Sequence, residues 1–515
     1  MLPDFKNEPF TNFQDSAARA AFAGALQRVR AEVGATAELL IGAERIATER
    51  SFESTNPSSK SEIVGRIAKG SREHADQAVR AAAAAFESWR RLAPRARAEL
   101  ALRTAAILRR RRHEFSAWMV LEVGKSWPEA DGDTAEAIDF CEFYAREALR
   151  YASDQPLTAQ PGESNQLVYL PLGVVIVIPP WNFPLAIMAG MTIAALVTGN
   201  TVVIKPSSDA PMICAQFVAA LEAAGAPAGV VNYLPGSGAD VGNVLVEHPL
   251  TRMIAFTGSK AVGLEINQRA AKVADGQRWI KRVIAEMGGK DAILVAADAD
   301  LDAAALAVSQ SAFGFQGQKC SACSRAIIDQ RVYDSFVPLL LEQVEKLSLG
   351  PVENPAHNLG PVINAGAQRK ILEYIEIGKS EGKLLIGGAP GDDGGYFIQP
   401  TVFGDVAPDA RISQEEIFGP VLALTRCESF ESGLQMVNDT EYGLTGAVFS
   451  RSPHLLEWAR HDFHVGNLYL NRKCTGAMVG AHPFGGFNLS GTDSKAGGRD
   501  YLGLFLQAKA ISLKL

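Results

Sequence analysis

Apolar residues recur at helical spacing through 74–92 (HADQAVRAAAAAFESWRRL). Pro94 interrupts this pattern, which resumes over 95–121 and again over 134–151, so three helices are predicted. From residue 174 the pattern changes to alternation. Val174-Val-Ile-Val-Ile178 is a short β-branched run and predicts a buried strand. A helix over 185–197, a strand over 201–204, a helix over 212–224 and a strand over 230–234 follow. A further strand over 253–256 leads into a helix beginning near Ser259. Strands alternating with helices predict a parallel sheet with helices on both faces. A second series starts near Ala292, with strands over 292–295 and 326–328 and helices over 302–313 and 332–347. Residues 387–395, rich in Gly, Pro and Asp, predict a surface turn. No repeat, low-complexity segment or tether divides the two series. The expectation is two α/β units in tight contact, changing over near residue 290.

A chain of 515 residues exceeds what one hydrophobic core usually holds, in keeping with two or more units. With 47% hydrophobic and 21% charged residues, its composition is that of a globular protein in water. The net charge of −7 lacks the basic footprint of a nucleic-acid binder. No charged residue occurs from Ser164 to Ile204, but Pro171, Pro179, Pro180, Asn182 and Pro184 interrupt the segment. A spanning helix needs about 20 mostly apolar residues with internally satisfied backbone. The segment therefore reads as strand, loop and buried helix. The start, Met1-Leu-Pro-Asp-Phe, lacks the basic and apolar regions of a secretory signal. The six cysteines are sparse and irregular, which argues against a disulfide scaffold and for a reducing cytoplasm. Cys141, Cys214 and Cys427 sit in apolar or helical stretches and read as small core residues.

Four segments carry candidate chemistry. In Gly317-Gln-Lys-Cys320-Ser-Ala-Cys323, a cysteine lies in a Gly-containing polar loop before a strand. Alone it fits either a nucleophile or an inert small residue. A metal site would want about four ligands, and no second pair is present. In Glu286-Met-Gly288-Gly289, a carboxylate ends an apolar strand beside glycines that admit a close ligand. It fits a general base if burial raises its pKa, or a solvated strand-end charge. In Pro179-Pro-Trp181-Asn182-Phe183-Pro184, the asparagine stands at the carboxyl end of a strand, where it would donate to an oxyanion or cap the next helix. In Phe256-Thr257-Gly258-Ser259, a strand-to-helix turn leaves N–H groups for a phosphate, although Ser is also a common cap. Gly236-Ser-Gly238-Ala-Asp-Val-Gly242 misses the dinucleotide spacing by one residue.

Together with Lys205-Pro-Ser, Glu415-Glu416-Ile-Phe418-Gly-Pro and Pro483-Phe484-Gly-Gly-Phe, these segments stand in the order of a known pattern. Over nearly its whole length the chain resembles the aldehyde dehydrogenase superfamily. The resemblance implies Cys320 as a nucleophile that forms a thioester, Glu286 as general base and Asn182 as oxyanion donor. It implies an α/β fold with a Rossmann-type cofactor domain over 1–152 and 171–289, including the N-terminal helices. A catalytic domain over 290–487 and a small β arm for oligomerisation over 153–170 and 488–515 complete it, giving a homodimer or an assembly of dimers. The implied cofactor is NAD. Lys205 would take the adenosine ribose, and Glu416 and Phe418 the nicotinamide ribose. Trp181 and Ser259 would border the pyrophosphate, with Gly238, Thr257, Gly258 and Gly288 nearby. Many NAD-specific relatives carry Glu where this chain has neutral Ser208, so weaker NADP use is expected as well.

Tyr169-Leu-Pro-Leu-Gly, Ala312-Phe-Gly-Phe-Gln-Gly-Gln-Lys-Cys-Ser-Ala and Asn471-Arg-Lys-Cys474-Thr-Gly-Ala carry a narrower resemblance, to the 1-pyrroline-5-carboxylate dehydrogenase branch. It implies oxidation of L-glutamate 5-semialdehyde to L-glutamate, the second step of proline degradation; another small semialdehyde is the alternative substrate. The chain has no proline dehydrogenase unit, so it resembles the monofunctional form, with a separate proline dehydrogenase as candidate partner. The implied substrate contacts are Ser321, an anchor loop at Gly476 and Ala477, and Phe183 and Phe484 flanking the aliphatic chain. Glu136 fits either the pocket wall or a helix-surface carboxylate. No metal is expected. Cys474 reads as a packing residue and Cys323 as structural, or as an oxidation partner for Cys320 if the thiols approach.

Overall fold

The computed structural model describes residues 2–515. A seven-stranded sheet runs in the order Arg282–Glu286, Thr251–Thr257, Val174–Ile178, Thr201–Ile204, Val231–Tyr233, Leu39–Ile41, Glu44–Ile46. The first five strands are parallel and the last two antiparallel. Side chains alternate between two cores, as the pleat requires. Val175, Val177, Val202 and Ile204 enter one cluster with the helices Ala186–Val197 and Pro211–Ala223, whereas Val174, Ile176 and Val203 enter another beneath Arg72–Trp89. Covered on both faces, these strands read as unbroken apolar runs.

A second seven-stranded sheet has the order Lys383–Ile386, Thr401–Gly404, Val421–Cys427, Cys323–Asp329, Asp291–Val295, Thr445–Phe449, Asn467–Leu470. All but its first strand are parallel. Residues 287–290 are all that separate the last strand of the first sheet from Asp291–Val295. The carboxyl edge of one sheet therefore faces the amino edge of the other, across the crevice where open α/β sheets take ligands. A three-stranded sheet of Ala35–Ala37, Ile63–Ala68 and Ser51–Thr55 lies apart from these. Glu163–Pro171 and Leu506–Lys514 pair antiparallel as a ribbon, from Pro171 opposite Leu506 to Glu163 opposite Lys514.

Three predicted elements differ. The helix expected over 95–121 is two, Pro94–Arg110 and Arg112–Val123, because Arg111 leaves the helical region at φ −105°, ψ 21°. The helix expected from 134 begins at Trp127, with a proline in its first turn. Its buried Asp131 and Asp133 mask the apolar period. The expected turn over 387–395 is partly packed, bridged from Pro390 to Ile398 with Gly395 buried. All six cysteines are free, and Cys141, Cys214 and Cys427 are at most 1% exposed. Among the described residues no cluster of side chains would hold a metal, and no helix is long and apolar enough to cross a membrane.

Candidate active site

The helix Leu301–Phe313 ends in a tight turn that delivers Cys320 to the strand Cys323–Asp329. Phe315, Gln316 and Gly317 adopt positive φ (50°, 57° and 68°) in succession. For the two non-glycine residues this costs about 1–2 kcal/mol each. The loop persists because distant backbone fixes it. Gln316 Nε2 donates to the carbonyls of Gly124 (3.1 Å) and Pro361 (2.7 Å), and Gln318 Oε1 accepts from the Ile363 N–H (2.9 Å). Burial pushes the Cys320 thiol up, and the charges of Asp291, Glu416 and Glu286 push further, while the Ser321 N–H opposes them.

Asn182 is buried in the loop after Val174–Ile178, and its Nδ2 donates to the Gln318 carbonyl at 3.1 Å. An amide nitrogen carries two donors, so this bond leaves one. Asn182 does not cap the helix Ala186–Val197; the Asp133 carboxylate takes the Ala186 N–H instead. Glu286 ends its strand and is 8% exposed. Its Oε1 accepts from Ser494 Oγ at 2.5 Å and from the Ser494 N–H at 3.3 Å, and its Oε2 from the Gly486 N–H at 3.2 Å. Burial raises the carboxyl to about 7 against these donors.

Cys320, Glu286 and Thr257 line a cavity of about 130 Å³ with Phe183, Phe484 and Glu136. Ser321, Gly476 and Ala477 close its outer wall and also line a vestibule beyond it. Asn182 is not among the lining residues. The carbonyls of Thr475 and Gly476 are held by Arg472 Nη2 at 2.9 and 3.2 Å. No protein acceptor takes the Gly476 or Ala477 N–H among the described residues. Gly476 sits at φ +78°, a conformation that favours glycine. Phe183 is backed by Lys125, whose Nζ lies 3.7 Å from the ring and forms a fully buried pair with Asp133 at 2.8 Å. Glu136 is thus a pocket carboxyl, pushed to about 8 by burial and then by Asp133. In the vestibule, Lys319 pairs with Glu129 at 2.7 Å, near Lys473.

The other expected residues lie outside this lining. Lys205 follows Thr201–Ile204, packs its methylenes against Gly242 and donates from Nζ to the Pro206 carbonyl at 3.1 Å. Burial lowers its ammonium to about 8. Ser208 is exposed. Gly238 opens a π-helical turn with free space around it. The Gly258 N–H donates to the Glu286 carbonyl at 3.0 Å, and Ser259 caps Lys260–Ala270. The Glu416 carboxylate lies on Gly288 and accepts from the Gly289 N–H at 3.2 Å. Phe418 meets the Trp181 ring edge-on at 5.6 Å. The buried ammonium, the open turn at Gly238 and the carboxylate fit the riboses and diphosphate of a dinucleotide.

Cys323 and Cys474 are both buried, and each thiol donates to a backbone carbonyl, Cys323 Sγ to Arg325 at 3.2 Å and Cys474 Sγ to Ser321 at 3.5 Å. Sequence reasoning missed Ser494, Gln316, Gln318, Lys125 and Lys473. Gln316, Gln318 and Lys473 stand within segments that carry the resemblance, glycines flank Ser494, and nothing local marks Lys125.

The sequence model of the aldehyde dehydrogenase family matches residues 45–511. The chain belongs to that family. It is 58% identical, over 99% of both chains, to a 1-pyrroline-5-carboxylate dehydrogenase of Geobacillus thermodenitrificans. A 1-pyrroline-5-carboxylate dehydrogenase from Thermus, solved with bound NAD, shares 51% identity over all of both chains with a TM-score of 0.98. Proline utilization A from Bdellovibrio bacteriovorus shares 46% identity with a TM-score of 0.98; the match covers 99% of this chain and 53% of that one.

Proposed function

We propose that this chain oxidises L-glutamate 5-semialdehyde to L-glutamate with NAD, the second step of proline degradation, through a thioester on Cys320. The observation that carries this reading is the convergence of Cys320, Glu286, Glu136 and the Gly476–Ala477 loop on one cavity. The substrate brings an aldehyde, a carboxylate and an ammonium. The cavity offers a nucleophile for the first, N–H donors for the second and the Glu136 carboxyl for the third. The named relatives support the same chemistry.

Cys320 gives up its thiol proton to water and attacks the aldehyde carbon as the thiolate. Asn182 and the Cys320 N–H donate to the oxyanion that forms. NAD, when bound, would supply the hydride acceptor, with Trp181, Glu416 and Phe418 as its contacts at the nicotinamide end. Lys205 would hold a ribose, and the turns at Gly238 and at Gly258–Ser259 would border the phosphates. Glu286 takes a proton from water, which adds to the thioester carbon; the C–S bond then breaks and L-glutamate leaves. Phe183 and Phe484 exclude bulk water along the aliphatic chain.

The units over 1–152 with 171–289, 290–487, and 153–170 with 488–515 serve as cofactor, catalytic and oligomerisation domains. The ribbon pairs this chain with a second copy, and a separate proline dehydrogenase in the cytoplasm supplies the substrate. Reduced cofactor formed from the semialdehyde, measured beside Cys320→Ala, tests the reading. A Cys320→Ala variant that kept near-normal turnover would sink it.

A further inference from the structure

The Glu286 carboxylate rests in a cradle made by one returning segment, residues 485–494. The segment is zipped to the strand end by the Met287 N–H on the Ser490 carbonyl (2.7 Å) and the Thr492 N–H on the Ala285 carbonyl (2.9 Å). Two backbone N–H groups and one hydroxyl aim inward, from Gly486 and Ser494. Glycines let the backbone close in; a Cβ on Gly491 would come within 2.9 Å of Glu286 Oε2. The charged or titratable groups facing the carboxylate are few. Lys495 follows Ser494, pairs with Asp493 at 2.9 Å and donates to the Gly466 and Gly485 carbonyls. Cys320 and Tyr501 are the others.

The three donors are not equivalent. A backbone N–H only donates, so it favours the ionised carboxylate. A hydroxyl donates and accepts, and turns freely about its C–O bond. Ser494 Oγ can stay bonded to Glu286 after it takes a proton, but its charge-assisted bond to the ionised carboxylate is the stronger of the two, so its net effect favours the ionised form. It is 5% exposed, so little water competes for it.

We propose that Ser494 is a positioning residue that parks the Glu286 carboxylate in its ionised form and sets the pH at which the thioester is hydrolysed. The proposal rests on Glu286 being the general base. In that step a water O–H bond breaks, its proton passes to Glu286, and the oxygen bonds the thioester carbon. The Cys320 sulfur leaves with the C–S electron pair. The Ser494 hydroxyl rotates to accept from the new carboxylic O–H.

The test is the pH profile of steady-state turnover for wild type, Ser494→Ala, Ser494→Thr and Glu286→Gln, with the pre-steady-state burst of reduced cofactor recorded for each. Loss of the hydroxyl leaves the buried carboxylate one donor short. The acidic limb of Ser494→Ala is expected to move up by about one pH unit, about tenfold in turnover below the limb. The burst persists, because acylation precedes the affected step. Ser494→Thr, which keeps the hydroxyl, returns the limb towards wild type. If Ser494→Ala does not fold, Ser494→Cys, a weaker donor of similar size, shifts the limb the same way by less. An unmoved limb in Ser494→Ala, with Glu286→Gln inactive after the burst, overturns the proposal and leaves the general base standing. Normal steady-state turnover in Glu286→Gln would instead remove the general base itself.

Discussion

Asn182 donates its side-chain N–H to the carbonyl of Gln318, two residues before Cys320, at 3.1 Å. One loop of the first sheet thereby tethers the nucleophile loop of the second. The same amide has a second donor for the oxyanion. Replacing Asn182 by Ala should lower kcat by about 10²–10³, the usual cost of one oxyanion donor. The rate of Cys320 alkylation by iodoacetamide separates the two roles. A rate near wild type assigns the loss to the oxyanion, and a changed rate assigns it to a displaced loop.

The anchor loop gives a selective prediction. A Cβ on Gly476 would meet nothing closer than Lys473 Cε at 3.4 Å, so space is not the constraint. Its φ of +78° is. Gly476→Val forces the peptide out of this region and turns its N–H away. Charge-assisted hydrogen bonds of about 1.5–3 kcal/mol are lost, roughly 10- to 100-fold in KM. The loss should fall on L-glutamate 5-semialdehyde and spare a simple aliphatic aldehyde. Equal effects on both would dismiss the carboxylate anchor.

What the sequence revealed depended on where the cause lay. Val174–Ile178 and Thr201–Ile204 were legible residue by residue because burial on both faces writes an unbroken β-branched run. Each catalytic candidate sits at a strand end beside glycine or proline, a local signature. The break at Arg111 has no glycine or proline to announce it. The strands between Ala35 and Ala68 are short and half polar, so their period is lost. Ser494 and Glu286 are separated by 208 residues, and nothing local to either names the other. Gln316 and Gln318 likewise owe their roles to carbonyl and amide groups brought by other elements.

Glu136 predicts a pH dependence of product binding. Burial, followed by the Asp133 charge, raises its carboxyl to about 8. The free enzyme therefore holds it protonated below that pH. An ammonium binds the ionised form, so binding expels a proton. The inhibition constant of L-glutamate should weaken as pH falls below about 8, by up to tenfold per unit, and level off above it. Glu136→Gln should bind more weakly at high pH with a flattened profile. Parallel profiles in both proteins would exclude Glu136 as the ammonium partner.

Ser208 lies exposed three residues after Lys205. It brings no charge against a 2′-phosphate, so measurable NADP turnover is expected beside the preferred NAD. Ser208→Glu adds a like charge worth about 1–4 kcal/mol at short range, at least roughly a fivefold loss with NADP. NAD turnover should change little, since a ribose hydroxyl accepts a carboxylate partner. Initial rates with both cofactors decide it, and an unchanged NADP to NAD ratio would place the discrimination elsewhere.

The ribbon of Glu163–Pro171 and Leu506–Lys514 is exposed over most of its length in the single chain. Ile511, Leu513 and Leu515 are 39%, 61% and 81% exposed. A two-stranded ribbon is marginal in water without a third strand or a packed face, and its open edges are templates for pairing. A second copy would supply both. Sedimentation of the intact chain should give twice the monomer mass or a multiple of it. Truncation after Gln507 should give the monomer, with the first sheet still folded because its strands end before residue 290. A monomeric intact chain, or a truncated chain that kept the wild-type mass, would take the ribbon out of assembly.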